Sequence, residues 1–286
     1  MTIAAGFVCD DGIVVCADTQ YSNHTDKTSR TKLWLSQRGD CVIAAAGDEV
    51  LMKEAAETIL AQIDPEIVLD EVKEIIERTM EALHVQHIDA SPDQDHTVRV
   101  LVAVNAVDGS ALFQQSRSAV TSVRRSTCIG SGAAFGNYVV ERFWDESGHT
   151  VITGCIVAAH LLQLAKRYDT WCGRDSEIVV LPRLGNAYAL SKRNIQNVEQ
   201  FFDSVDAVLR PLLLVIPDPQ HPADAVEERL QRFCEGIRAT RPFPFDITIA
   251  LSGVATLGLT GTGTLSTVKI EPVKPQEEPR DDAEPS

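Results

Sequence analysis

The chain of 286 residues has no apolar run approaching the roughly 18–20 residues that a membrane-spanning helix needs. It also lacks a basic leader followed by an apolar stretch, because Asp10 and Asp11 interrupt the first hydrophobic segment. There is no basic stripe: the formal net charge is −15, which argues against binding the phosphate backbone of a nucleic acid and is ordinary solubilising charge. Seven cysteines are present, none in a CxxC pair, and an odd number at irregular spacings makes a poor disulfide framework. Several of them (Cys9, Cys16, Cys41, Cys128) sit in apolar runs, as reduced buried thiols do. No Gly-Lys-Ser/Thr follows the glycines at 130 and 132, so there is no P-loop. His84 and His87 fall on one helix face, with His96 beyond, but no Glu or Cys joins them at a ligand spacing. We find no internal repeat. These absences predict a cytoplasmic protein that binds neither membrane nor nucleic acid and carries no metal.

What is there is an ordinary globular composition, 44% apolar and 23% charged. Its first forty-seven residues organise the rest. TIAAGFVCDDGIVVCADTQ is two strand-length apolar segments joined at Asp10-Asp11-Gly12, and Asp-Gly between apolar runs signals a hairpin. TKLWLS and CVIAAAG follow as a third and fourth strand. DEVLMKEAAETILAQI has helical periodicity, with Asp48 near its start where an acidic group is favoured. A second helix is predicted from about Glu66 to His87, and DASPDQDH is a loop. TVRVLVAVNAV and ALFQQS form a second hairpin about Asp108-Gly109. Further on come a strand, a helix, another helix and a strand, with Gly130-Ser131-Gly132 between the first two.

This pattern resembles the start of a catalytic proteasome-type subunit of the N-terminal-nucleophile hydrolase superfamily; among bacterial members it is similar to HslV-type peptidases, which carry a Gln in the stretch where this chain has Gln20. The residues behind the resemblance are Thr2 directly after Met1, DGIVVCAD ending in Asp18, TKLW carrying Lys32, and AAAGD carrying Gly47. The resemblance implies an α+β fold, a four-layer αββα sandwich. It implies that Thr2 is the nucleophile and its own α-amine the base, once Met1 is trimmed. Asp18 and Lys32 tune the charge, and the Gly47 N–H receives the oxyanion. It further implies that Ser131 stands beside the nucleophile and that Ser131 with Asp169 orients the amine, with Gly173 matching a family glycine. Cys172 departs from the family, which has serine there. No cofactor is implied.

The chemistry holds without the family name. A threonine hydroxyl is a poor nucleophile until a base takes its proton, and a free α-amine on the same residue is such a base. That amine has a reference pKa of about 7.7–8.0, and a lysine ammonium nearby lowers it. A carboxylate holds the ammonium in place, and a backbone N–H stabilises the oxyanion. Singly, each residue has a plainer reading. A threonine after an initiator Met is common, Asp18 suits a strand-end turn, and Lys32 suits a solvated strand. Gly47 suits relief of crowding before a helix, and Ser131 a helix N-cap.

The resemblance spans residues 2–190, a proteasome-like hydrolase domain. Residues 191–271 read as a C-terminal extension, two amphipathic helical segments and then strand-rich Thr/Gly sequence. Residues 272–286 are Pro-rich and acidic, with the composition of a disordered tail. The expected activity is that of a threonine-type peptidase on peptide or unfolded-protein substrates, working in a homo-oligomer. An ATP-dependent unfoldase partner is not legible. Two other readings share the fold. One is a non-catalytic structural subunit, which in the proteasome carries an extra N-terminal helix that this sequence lacks. The other is an amidase acting on a small amide.

Overall fold

The near-continuous apolar runs at the N-terminus become strands covered on both faces, which is why they do not alternate with polar residues. The computed structural model describes residues 2–22, 27–88, 97–116, 119–145, 148–216 and 222–240. Strands β1 (Ile3–Cys9) and β2 (Gly12–Asp18) pair antiparallel through a two-residue turn at Asp10-Asp11, with Cys9 opposite Gly12. With β10 (Ser126–Gly130), β11 (Ser176–Pro182) and β12 (Tyr188–Ala189) they form a sheet of order β10-β1-β2-β11-β12. A second sheet has the order β5-β6-β7-β8-β9, built from Leu33–Leu35, Cys41–Gly47, Val98–Ala106, Gly109–Ser116 and Ala119–Val123. A two-stranded ribbon, β3 (Gln20–Ser22) with β4 (Lys27–Ser29), stands apart from both.

Successive residues of a strand point to opposite faces, and the buried clusters divide accordingly. In β1 and β2, Ile3, Ala5, Phe7, Val14 and Cys16 pack with helices α3 (Ala133–Phe143) and α4 (Val151–Tyr168). In the second sheet, Cys41, Ile43, Ala45, Val100 and Val102 pack with α1 (Glu49–Gln62) and α2 (Leu69–Leu83). The opposite faces share a third cluster. Ala4, Val15 and Ala17 of the first sheet meet Val42, Ala44 and Ala103 of the second there. Fully burying a Val or Ile contributes about 1.5–3 kcal/mol, so these two-sided strands anchor whatever is attached to their ends.

Helix α1 starts as predicted at Asp48, whose carboxylate accepts from the N–H groups of Val50 and Leu51 at 2.9 and 3.3 Å. The second helix starts three residues later than the sequence predicts. Val68 remains extended, and the Asp108 carboxylate of the β7–β8 turn takes the Leu69 N–H at 3.0 Å. It then passes into a π-helical turn, His84–Ile88. His87 Nε2 lies 3.7 Å from Glu54 there, while the predicted loop and His96 lie outside the described residues.

Beyond β12, helix α5 (Lys192–Val215) places Ile195 and Val198 in the same cluster as α3 and α4, and Lys166 pairs with Glu199 at 2.6 Å. Helix α6 (Ala223–Thr240) follows. Met1–Phe243 form one compact unit. The expected strand-rich stretch and acidic tail lie outside the described residues.

Candidate active site

β1 and β2 are neighbours, so the start of one and the end of the other lie side by side. That alone brings Thr2, one residue before β1, next to Asp18, the last residue of β2. The Thr2 hydroxyl donates to Asp18 Oδ1. Lys32 arrives from the segment leading into β5, where its carbonyl accepts the Ala45 N–H of β6 at 3.1 Å. Its ammonium donates to Thr2 Oγ1, to Asp18 Oδ1 at 2.9 Å and to the Gln20 carbonyl at 2.6 Å. An ammonium has three N–H donors, and here all three are used.

Thr2, Asp18 and Lys32 are 1%, 0% and 0% exposed, so an ion pair and a hydroxyl share a site without bulk water. The plainer reading of Lys32 as a solvated strand residue is therefore wrong. Burial lowers the Lys32 pKa from its ordinary value, with the Asp18 carboxylate acting in the opposite sense. Asp18 is held by more than its ion pair. Its Oδ1 also accepts the Ile3 N–H at 3.1 Å, and its Oδ2 accepts the N–H groups of Gln20 and Gly173 at 3.2 and 3.0 Å. Five donors converge on one carboxylate. Gln20 and Gly173 act through their backbones, which no side-chain pattern in a sequence announces. Burial of that many charges and dipoles costs several kcal/mol unless each is answered, and here each is.

The β10–α3 turn closes the other side. The Thr2 carbonyl accepts from the Gly132 N–H at 3.2 Å and from Ser131 Oγ at 3.4 Å. Ser131 is thus not the N-cap of α3, a place that Gly132 takes. Gly130 has φ +94°, and a Cβ on it would overlap the Thr2 carbonyl oxygen. Asp169 caps the C-terminal end of α4, where its Oδ1 accepts the Trp171 N–H at 2.9 Å and its Oδ2 the Cys172 thiol at 3.5 Å. Asp169 and Cys172 border Gly132: a Cβ there would stand 3.3 Å from Asp169 Oδ2 and 3.2 Å from Cys172 Sγ. Burial, then the Asp18 and Asp169 carboxylates, raise the Cys172 thiol well above its ordinary pKa, so it stays a neutral donor.

Among the described residues, Gly47, like Asp169, makes no hydrogen bond to Thr2. It ends β6 two residues past Ala45, with φ +135°, and a Cβ would collide with the Thr97 carbonyl oxygen. The crowding before a helix anticipated from the sequence is real and requires glycine by itself.

No protein-family model and no curated protein sequence matches the chain. Solved structures do. Anbu (ancestral beta-subunit) from Yersinia bercovieri superposes with a TM-score of 0.62 at 13% identity, over 77% of this chain and 99% of that one. A Gly-1 mutant of Anbu from Hyphomicrobium sp. strain MC1 gives 0.60 at 16% identity, over 76% and 100%. The helical assembly of the Anbu complex from Pseudomonas aeruginosa gives 0.62 at 14%, over 78% and 99%. The chain has the fold of these ancestral β-subunits, a mixed α/β fold.

Proposed function

We propose that this chain, with an ancestral-β-subunit fold as its scaffold, is a threonine-type N-terminal-nucleophile hydrolase acting on amide bonds, and within that class a peptidase. The observation that carries the reading is the contact of Lys32 Nζ with Thr2 Oγ1, inside a buried pair with Asp18. A structural ion pair has no need of a hydroxyl wedged against both partners. The finer four-layer αββα description belongs to the same proposal, supported by three apolar clusters, one between the sheets and one outside each.

With Met1 attached, the Thr2 nitrogen is an amide without a basic lone pair, and Thr2 is buried. Removal of Met1 creates the base. The neutral α-amine takes the Oγ1 proton while the Lys32 ammonium, still donating to Oγ1, stabilises the forming alkoxide. Oγ1 attacks the substrate carbonyl carbon, and the oxyanion faces the Gly47 N–H. The C–N bond breaks as the α-ammonium returns its proton to the leaving amine, leaving an acyl ester on Oγ1. Water, deprotonated by the same amine, then adds to the ester, and its collapse releases the acid and restores the hydroxyl. Asp18 accepts from Lys32 throughout and fixes it in place. Ser131 and Asp169 hold the turn that pins the Thr2 main chain.

The helical assembly of the Anbu complex supports a further element, that this chain also works as an assembly of its own copies. Among the described residues no helix is long and apolar enough to cross a membrane. The test is an intact mass of the purified protein followed by reaction with a peptide epoxyketone, which closes a ring using hydroxyl and α-amine together. Loss of Met1 and a ring adduct mapped to Thr2 are expected. Retained Met1, or an adduct elsewhere, overturns the proposal.

A further inference from the structure

Four large apolar side chains that are between 42% and 65% exposed lie around one groove: Tyr138 and Phe143 of α3, Tyr168 of α4 and Leu213 of α5. The groove is an open cavity of about 520 Å³ on the helix side of the first sheet, and Phe135 and Leu164 add to its apolar walls. Ring contacts hold those walls. Phe135 meets Tyr168 at 6.3 Å, and Phe143 meets His160 at 5.3 Å. A contiguous apolar patch rimmed by charge is the usual mark of a contact surface.

Charge decides what can cover it. With a net charge of −15, copies of this chain repel one another over most approaches. The helices outside the second sheet, α1 and α2, carry eight acidic residues and three basic ones. Those outside the first sheet, α3, α4 and α5, carry four acidic and six basic. Theirs is therefore the helical layer on which two copies meet without a build-up of like charge. Its rim also complements a copy of itself. Asp206 and Arg210 stand one turn apart on α5, and both line the groove. Among the described residues Arg210 has no ion pair, and Asp206 reaches Arg167 at 3.5 Å. A two-fold axis passing between them sets the Asp206 of each copy against the Arg210 of the other.

We propose that a second copy of this chain occupies the groove, in an isologous contact between the α3–α4–α5 faces of two copies. Tyr138 and Leu213 of each copy enter the groove of the other, and two reciprocal Asp206–Arg210 pairs close the polar rim around an apolar centre. The inference rests on the assembly of copies proposed above and not on the chemistry at Thr2.

Sedimentation equilibrium and light scattering of the purified full-length protein read it. The wild type should have a mass that is an even multiple of 31.2 kDa. Tyr138→Glu and Leu213→Glu should each reduce that mass by half or more. Arg210→Asp sets acid against acid and Asp206→Arg sets base against base, so each should raise the dissociation constant at least tenfold. The double exchange should restore association, a rescue that a damaged fold does not give, and circular-dichroism melts establish that every variant folds. An assembly whose mass is unchanged by Tyr138→Glu and Leu213→Glu overturns the inference and leaves the assembly standing, whereas a wild type of 31.2 kDa removes both. Charge reversals without effect, or a double exchange without rescue, also overturn it. So does a monomer whose native mass includes a retained apolar small molecule, since the groove is then a ligand site. The epoxyketone reaction on the same wild-type sample reports on Thr2 separately.

Discussion

The burial of the Lys32–Asp18 pair makes the two partners unequal, and the inequality is measurable. In Lys32→Met, a side chain of similar length fills the same space, and Asp18 keeps four of its five donors. The carboxylate is left without its counter-charge but not without hydrogen bonds, so the loss should be about 2 kcal/mol, below the 3–5 kcal/mol typical of a broken buried pair. In Asp18→Asn, the ammonium of Lys32 stays buried without a counter-charge, with Thr2 Oγ1, the Gln20 carbonyl and at best a neutral amide oxygen to receive it. The new amide also turns an NH₂ toward donors, facing either the Gln20 and Gly173 N–H groups or the Thr2, Ile3 and Lys32 side. The full broken-pair cost of about 3–5 kcal/mol then applies, plus about 1–3 kcal/mol for each N–H left unsatisfied. Taken together at least about 5 kcal/mol is expected, which is comparable to the whole stability of a marginal domain. Urea unfolding of wild type and both variants at pH 7, with amide hydrolysis assayed in parallel, reads the difference. Both variants should lose activity by orders of magnitude, and Asp18→Asn should be at least about 2 kcal/mol the less stable. Equal stabilities, or the reverse order, would refute the account of Asp18 as the hub that the other groups are hung on.

Three further outcomes follow from the same contacts. Gly130→Ala puts a Cβ against the Thr2 carbonyl at a φ of +94° and should cost at least about 2 kcal/mol in a urea melt, with activity lost beyond what the stability change explains; a neutral substitution would refute the tight turn. Native alkylation with iodoacetamide at pH 8 should label Cys234, the exposed thiol, and spare Cys9 and Cys128, whose pKa values burial pushes up to about 12; peptide mapping that finds adducts on those two in the folded protein would count against this. Stability should fall as pH rises past about 9, because six buried thiols (Cys9, Cys16, Cys41, Cys128, Cys155, Cys172) hold their protons when the unfolded chain releases them, each contributing up to about 1.4 kcal/mol per pH unit. Lys32 works in the opposite direction, since its lowered pKa favours the folded state as pH rises toward 10.5, but it is one group against six. A urea midpoint that is flat or higher at pH 10 than at pH 7.5 would contradict the balance.

The parts of the fold that were legible in the sequence are those set by neighbours along the chain. The β1–β2 hairpin follows from Asp10-Asp11 between apolar runs, and its closure alone sets Thr2 against Asp18. The α1 start follows from the capping capacity of Asp48. Lys32 was legible only as part of a set, because a lysine in a short strand looks solvated until a distant carboxylate and a carbonyl are placed around it. The pairing of β2 with β11 joins residues more than 150 positions apart and has no local signature, so the Gly173 N–H on Asp18 was out of reach. The short ribbon β3–β4 was missed for a related reason: three-residue strands are too brief for any periodicity to register. Helix α5 is legible as a helix but its packing on α4 is not, since the amphipathic pattern gives a buried face and not the surface that buries it.

The position of Thr2 also bears on how the protein is handled at the bench. Its side chain is buried, its carbonyl is pinned by Ser131 and Gly132, and β1 begins at the next residue. An affinity tag fused ahead of Met1 would leave the strand, the sheets and the melting curve intact while keeping the Thr2 nitrogen an amide. On the mechanism proposed above, such a preparation would look well folded and be inert toward every substrate and every epoxyketone, and would be filed as a scaffold. Handles for purification belong after Ser286, or ahead of a cleavage site that leaves threonine as the first residue.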